Sequence, residues 1–197
     1  QGLSSTLKYL QYRDRVNNQL ATQSRDYERW QDRGMGVHWR DILNASDDLK
    51  SKHVLAWTWV VSPAPDLMTL VPEDQRRDFV CDLTERVVED YYGERDFDLP
   101  VYSYILHDRQ TDEDGMQQLH THVVLPGTAP TVAERMPVYN NKERGHDRLF
   151  REVATHHFES MLDKVVGPDW RRHREESELE PESNHPDPDD FAAWFPD

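Results

Sequence analysis

QQLHTHVVL, running from Gln117 to Leu125, alternates in character along its length. In a β-strand successive side chains point to opposite faces, so His120 and His122 share one face while Leu119, Thr121, Val123 and Leu125 occupy the other. The apolar side must be buried, which sets the register and turns both imidazoles the same way. Just upstream, PVYSYILH (Pro100–His107) is a second β-rich run that ends in a third histidine. An acidic, glycine-containing stretch from Asp108 to Met116 separates the two, and the pair reads as a long antiparallel hairpin. His107 lies on the face of Ser103 and Ile105, which brings it alongside the other two rings.

Two imidazoles at i and i+2 on a strand, with a third across the hairpin, can converge on one ion. Three neutral imidazoles leave coordination positions open, with room for phosphate oxygens. Asp108 follows His107 directly, and Asp112 and Asp114 lie in the loop, so a carboxylate is at hand to take the second ring N–H of a ligand. The plainer reading is of polar residues on a solvent-facing strand. The third histidine and the apolar opposite face weigh against it. Other histidine chemistries fail on particular residues: there is no H-E-x-x-H, position +2 after His120 is another His where H-x-[ST] is required, and Val124 stands where a histidine triad wants its third alternating ring.

Outward from the hairpin, Pro72 with Glu73 and Asp74 makes a good first helical turn. Phe79, Val80, Leu83, Val87 and Tyr91 then form one apolar face, and Gly93 ends the helix. HVLAWTWVV (His53–Val61) reads as a buried central strand before a Pro-containing loop. Leu3, Leu7, Leu10, Val16 and Leu20 predict a helix over about 3–20 that carries Tyr9 and Tyr12. The polar stretch 23–48 is broken by Gly34 and Gly36 and allows one short helix near Trp39–Leu43. After Pro126-Gly127 a connector leads to an amphipathic helix over about 143–166, with Leu149, Phe150, Val153, His157, Met161 and Val165 inward. This order predicts an α+β fold, a mainly antiparallel central sheet flanked by helices.

The 197 residues suit one domain, over 1–174, followed by an acidic tail over 175–197 of the composition expected for disorder. The net charge is -15, of which the tail's nine acids, with no Lys or Arg, contribute -9, leaving -6 for the body. A body that is not basic must hold any phosphate through local patches and a bound cation. The tail ends in the apolar cluster Phe191 to Phe195. No run of about 18 apolar residues occurs and the mean hydropathy is -0.92, so no membrane partner is expected and a cytoplasmic protein is. The single cysteine, Cys81, removes disulfides and thiolate-rich zinc sites, and reads as a small helical hydrophobe. The chain opens on Gln1, which suggests a trimmed start and a missing initial strand.

QQLHTHVVLPG, preceded by YILHDR across an acidic loop, resembles the third motif of HUH-type conjugative relaxases, the nuclease domains of mobilisation proteins. LKYLQYR (Leu7–Arg13) resembles that family's first motif, in which an early helix carries the nucleophile as a Tyr followed by an aliphatic residue. The resemblance covers about residues 3–166. It implies a five-stranded antiparallel sheet between helices and a divalent metal ion held by His107, His120 and His122. Magnesium or manganese is the expected ion, with zinc or nickel as substitutes in crystals. It further implies tyrosine transesterification that nicks single-stranded DNA at an origin of transfer, with accessory relaxosome proteins as further partners. The helix from Leu149 resembles the arginine-bearing helix that follows the metal strand in many members. The acidic charge, the absent first strand and the stretch 23–48 depart from the family pattern.

A phenol ionises near pH 10, so tyrosine needs help to attack phosphorus at neutral pH, and a nearby cation supplies it. On the resemblance, Tyr9 is the expected nucleophile, Tyr12 its neighbour three residues on, and Asp108 the expected base or the partner of a ligand. Tyr139 is the rival, because replication-initiator and transposition relatives place their tyrosine after the histidine pair. Tyr91, Tyr92, Tyr102 and Tyr104 are expected to be structural. For DNA contact the basic candidates are Arg13, Arg15, Lys142, Arg144, Arg148 and Arg151, followed by Arg171, Arg172 and Arg174. Trp30, Trp39 and Trp170 are candidate stacking residues. A third reading, from another class, is a non-catalytic binding protein with the same fold and an acidic surface for a basic partner.

Overall fold

The expected hairpin forms the middle of the sheet. In the computed structural model, which describes residues 2–13, 30–110, 115–130, 135–137 and 145–172, β3 (Tyr102–Gln110) pairs with β4 (Gln117–Pro126), setting His107 opposite His120 and Ile105 opposite His122. Around this pair the chain runs α1 (Leu3–Tyr12), β1 (Trp30–Arg33), α2 (Trp39–Asp48), β2 (Ala56–Val61), α3 (Pro65–Met68), a 3-10 turn (Glu73–Gln75) and α4 (Arg76–Gly93) before it. A short pair, β5 (Thr128–Pro130) and β6 (Arg135–Pro137), and then α5 (His146–Val166) come after it. The four-stranded sheet is antiparallel throughout, in the order β1-β3-β4-β2. The protein is thus α+β, with helices on both faces of an antiparallel sheet.

Several expectations are corrected. The sheet has four strands among the described residues, not five. β2 is an edge strand and not a central one: Trp57, Trp59 and Val61 turn inward while Thr58 and Val60 are exposed. A strand, β1, precedes the expected short helix within 23–48, and the connector after β4 contains the β5–β6 pair. α5 buries Val153, Met161 and Leu162, whereas Val165 is exposed. The part of the first helix expected beyond residue 13, and the tail, lie outside the described residues.

One face of the sheet is covered by α4 and α5. Phe79, Val80, Leu83 and Val87 of α4 meet Val61, Leu119, Met161 and Leu162, and Val88, Tyr91 and Tyr92 meet Tyr102, Tyr104, Val123 and Leu125. Trp59 of the edge strand is held edge-on by Tyr91 at 5.0 Å and by Phe150 at 5.1 Å. Each such large apolar side chain contributes roughly 1.5–3 kcal/mol when fully buried, so this layer anchors the sheet. A buried polar link within it is between hydroxyls. Thr84 Oγ1 donates to Val80 O at 2.8 Å, which leaves Thr121 Oγ1 as donor to Thr84 across 2.7 Å.

The opposite face carries the histidines and is covered by α1 and α2 over only part of its width. Leu7 and Leu10 of α1 and Ile42 of α2 pack on Trp30, Met35, Ile105 and Val124. The turn that lifts the chain from β1 to α2 is held by Asp32, whose Oδ1 accepts from the N–H groups of Gly34 (2.7 Å) and Gly36 (2.9 Å). Both glycines have φ near +110°, a conformation that side chains rarely adopt. A Cβ on Gly36 would stand 2.4 Å from Asp41 Cβ.

Candidate metal centre

β4 delivers His120 and His122, and β3 delivers His107, all to the face beneath α1. One ligand atom from each ring lies within 4.8 Å of the other two, and the ring centroids are 4.9–5.4 Å apart. Burial grades across the sheet: His107 on β3 is 1% exposed, His120 on β4 is 7% exposed, and His122, toward β2, is half-buried. Val60, which pairs with His122 from the edge strand, is 50% exposed. The cluster is closed on the β3 side by α1 and open toward β2.

Hydrogen bonding assigns the ring protons. His107 Nε2 lies 2.7 Å from Leu10 O, and a carbonyl only accepts, so Nε2 carries the proton and Nδ1 is the atom that can ligate. His120 Nδ1 lies 3.2 Å from Gln118 O, which leaves Nε2 as its ligating atom by the same reasoning. His122 Nε2 is buried and has no hydrogen-bond partner among the described residues. A buried polar atom without a partner is costly, and an ion at this point would satisfy it. One nitrogen from each of the three rings, converging within 4.8 Å, fits a divalent cation bound by imidazole.

Burial, and then the charges of His107, His120 and Arg13, lower the pKa of His122 to about 4. The ring is therefore neutral, with its lone pair available, over the whole physiological range.

α1 is seated on the site by its last turn, whose carbonyls have no helical N–H to accept from. Leu10 O goes to His107. The next residue, Gln11, is fully buried and its Oε1 accepts from Trp30 Nε1 at 3.2 Å and from Trp39 N at 2.7 Å. Neither residue stands out as chemistry in the sequence, although Leu7, Leu10 and Gln11 at helical spacing mark the inward face of α1.

Tyr9 is 58% exposed on the outer side of α1, its ring 5.5 Å from the Arg13 guanidinium. Tyr12, in the last turn, is half-buried. Arg13 follows it, close enough to act on His122. Asp108 is not beside the histidines, because adjacent strand residues point to opposite faces. It pairs with Arg77 of α4 at 3.1 Å and accepts from Gln117 Nε2, so the expected carboxylate partner of His107 is replaced by the Leu10 carbonyl.

Arg148 and Arg151 lie on α5, across the sheet from the cluster, and pair with Glu152 and Asp147 of their own helix. As DNA contacts for this site they are on the wrong face. Arg171 and Arg172 bind Asp163 and Asp169. Trp30 and Trp170 are buried, their Nε1 groups committed to Gln11 and Asp163, so neither offers a stacking surface. Trp39 is half-buried, with Lys8 Nζ 4.4 Å and Arg40 5.2 Å from its ring. Tyr91 and Tyr92 are buried in the core. So are Tyr102 and Tyr104: burial, then Glu85, pushes the Tyr102 phenol up to about 12 and raises that of Tyr104 as well. Cys81 packs beside this cluster, its thiol pKa raised by burial. Arg15, Asp112, Asp114, Tyr139, Lys142, Arg144 and Arg174 lie outside the described residues.

No helix among the described residues is long and apolar enough to cross a membrane. Comparison of the chain with protein-family models, with curated proteins and with solved structures gives no match.

Proposed function

We propose that this chain is a relaxase-type HUH nuclease, which nicks single-stranded DNA by attack of a tyrosine on a backbone phosphate. The observation that carries the reading is the convergence of His107, His120 and His122, with His122 Nε2 buried and without a hydrogen-bond partner among the described residues. A divalent cation held there would polarise the non-bridging oxygens of the scissile phosphate and offset the charge that grows on them.

The chain's own groups divide the remaining work. The Leu10 carbonyl holds the tautomer of His107, and the exposed strip at Val60 and Thr58 leaves the substrate a way in from the β2 edge. α1 supplies the phenol. Tyr12 is the first candidate, because it lies in the turn that docks on His107 and precedes Arg13, and Tyr9, facing outward, is the second. Attack forms a phosphotyrosine bond to the 5′ side of the break and releases a 3′-hydroxyl, so that one phosphoester replaces another and the strand can be rejoined without ATP. Lys8 and Arg40 around Trp39 give the helical layer over the site a cationic and aromatic patch suited to a single strand, within an otherwise acidic body. The expected partner is single-stranded DNA at an origin of transfer.

The test is incubation with a 3′-labelled pool of random single-stranded oligonucleotides and Mn2+, followed by a denaturing gel. The reading predicts a covalent protein–DNA adduct that disappears with EDTA and in Tyr12→Phe. Loss in Tyr9→Phe or Tyr139→Phe instead moves the nucleophile. No adduct with any pool, in a protein shown to bind Mn2+, sinks the nuclease reading.

A further inference from the structure

We infer that Gln11 is the positioning residue of the histidine centre, an inference that rests on the metal-binding part of the reading above. Its side-chain amide lies where three elements meet. Gln11 belongs to α1, and its single Oε1 accepts from the indole of Trp30 in β1 and from the backbone N–H of Trp39, the first residue of α2. The side chain is fully buried, so these bonds form away from competing water. They fix both the rotation of α1 about its axis and its position along the sheet.

Leu10 is the neighbouring residue, and its carbonyl is the atom that orients His107. A helix that rotates or slides carries that oxygen away from Nε2, and His107 then loses the contact that keeps the lone pair on Nδ1. Gln11 touches neither the rings nor an ion. It acts through Leu10 and α1, as the outer partners of metal-ligating histidines do. The coupling runs both ways: an ion that requires His107 in this orientation must also favour the seated α1.

The experiment titrates Mn2+ against the full chain, reading free Mn2+ by electron paramagnetic resonance, alongside amide hydrogen exchange over residues 5–12 with and without Mn2+. Gln11→Met, which keeps the bulk and removes the acceptor, is expected to weaken Mn2+ binding about tenfold, in the range of lost outer partners. Gln11→Glu, which keeps an acceptor, stays closer to the wild type. Trp30→Phe, which removes one donor and keeps most of the ring, gives a smaller loss in the same direction should Gln11→Met fail to fold. Mn2+ slows exchange in α1 of the wild type. Tyr104→Phe, on the other face, serves as a destabilised control whose affinity does not move. Wild-type binding of Mn2+ with unchanged affinity in Gln11→Met and Trp30→Phe, or with no added protection of α1, overturns the role of Gln11 and leaves the metal reading intact. Absence of Mn2+ binding in the wild type overturns both.

Discussion

His107 Nε2 and the carbonyl oxygen of Leu10 are 2.7 Å apart, and this hydrogen bond joins the histidine cluster of the sheet to the helix that bears Tyr9 and Tyr12. It makes the cluster and α1 one unit: the helix end sets the imidazole, and the imidazole satisfies the helix end. Removing any one ring should therefore be read in metal binding first. His120→Ala and His122→Ala are each expected to weaken Mn2+ binding by more than about 100-fold, beyond the about 10–100-fold cost of changing an outer partner. Isothermal titration calorimetry checks this, and retention of wild-type affinity by both variants would show that the rings do not share an ion.

The depressed pKa of His122 gives stability a pH dependence. The unfolded ring ionises near its ordinary value of 6.5 and the folded ring near 4, so between these values the unfolded chain binds more protons. The stabilisation is fully present above about pH 6.5 and is lost as the pH falls toward 4. Urea unfolding at a series of pH values should show that decline. It should be shallower in His122→Gln, and an identical slope in the two proteins would contradict the assignment.

The two faces of the sheet should respond separately. Tyr104 donates to Glu85 Oε1 at 2.5 Å on the α4 side, and Glu85 also pairs with Arg33. Tyr104→Phe removes the hydroxyl bond and is expected to cost about 1 kcal/mol, the usual net value of one hydrogen bond, with no change in Mn2+ affinity. Denaturation and a metal titration on the same sample measure both quantities. A large drop in affinity would mean that the faces communicate.

Gly36→Ala should be costly without touching the cluster. The position combines φ +111° with a Cβ approach of 2.4 Å to Asp41, and strain of this kind costs of order 1–3 kcal/mol. A thermal unfolding midpoint equal to that of the wild type would show that the turn from β1 to α2 relaxes freely.

The parts of the structure legible in the sequence are those where alternation or helical spacing acts over a long span. β4 reads directly, because Leu119, Thr121, Val123 and Leu125 face one way and leave His120 and His122 facing the other. α4 reads directly from Phe79 to Tyr91. β2 misleads because HVLAWTWVV is apolar nearly throughout, as a central strand would be. It is an edge strand whose Thr58 and Val60 remain exposed beside the cluster. Asp108 misleads because adjacency in sequence suggests adjacency in space, whereas a strand turns neighbours to opposite faces. The partner of His107 could not be read at all from residue types, since it is a backbone carbonyl made available by the end of a helix.

The most direct test of the account is anomalous diffraction from crystals of this protein soaked in a zinc salt, recorded at the zinc edge. The account predicts one strong peak about 2.0–2.1 Å from a ring nitrogen of each of His107, His120 and His122, the usual zinc–imidazole distance. An empty cluster at saturating zinc, or a peak held by other residues with these three rings turned apart, would contradict it.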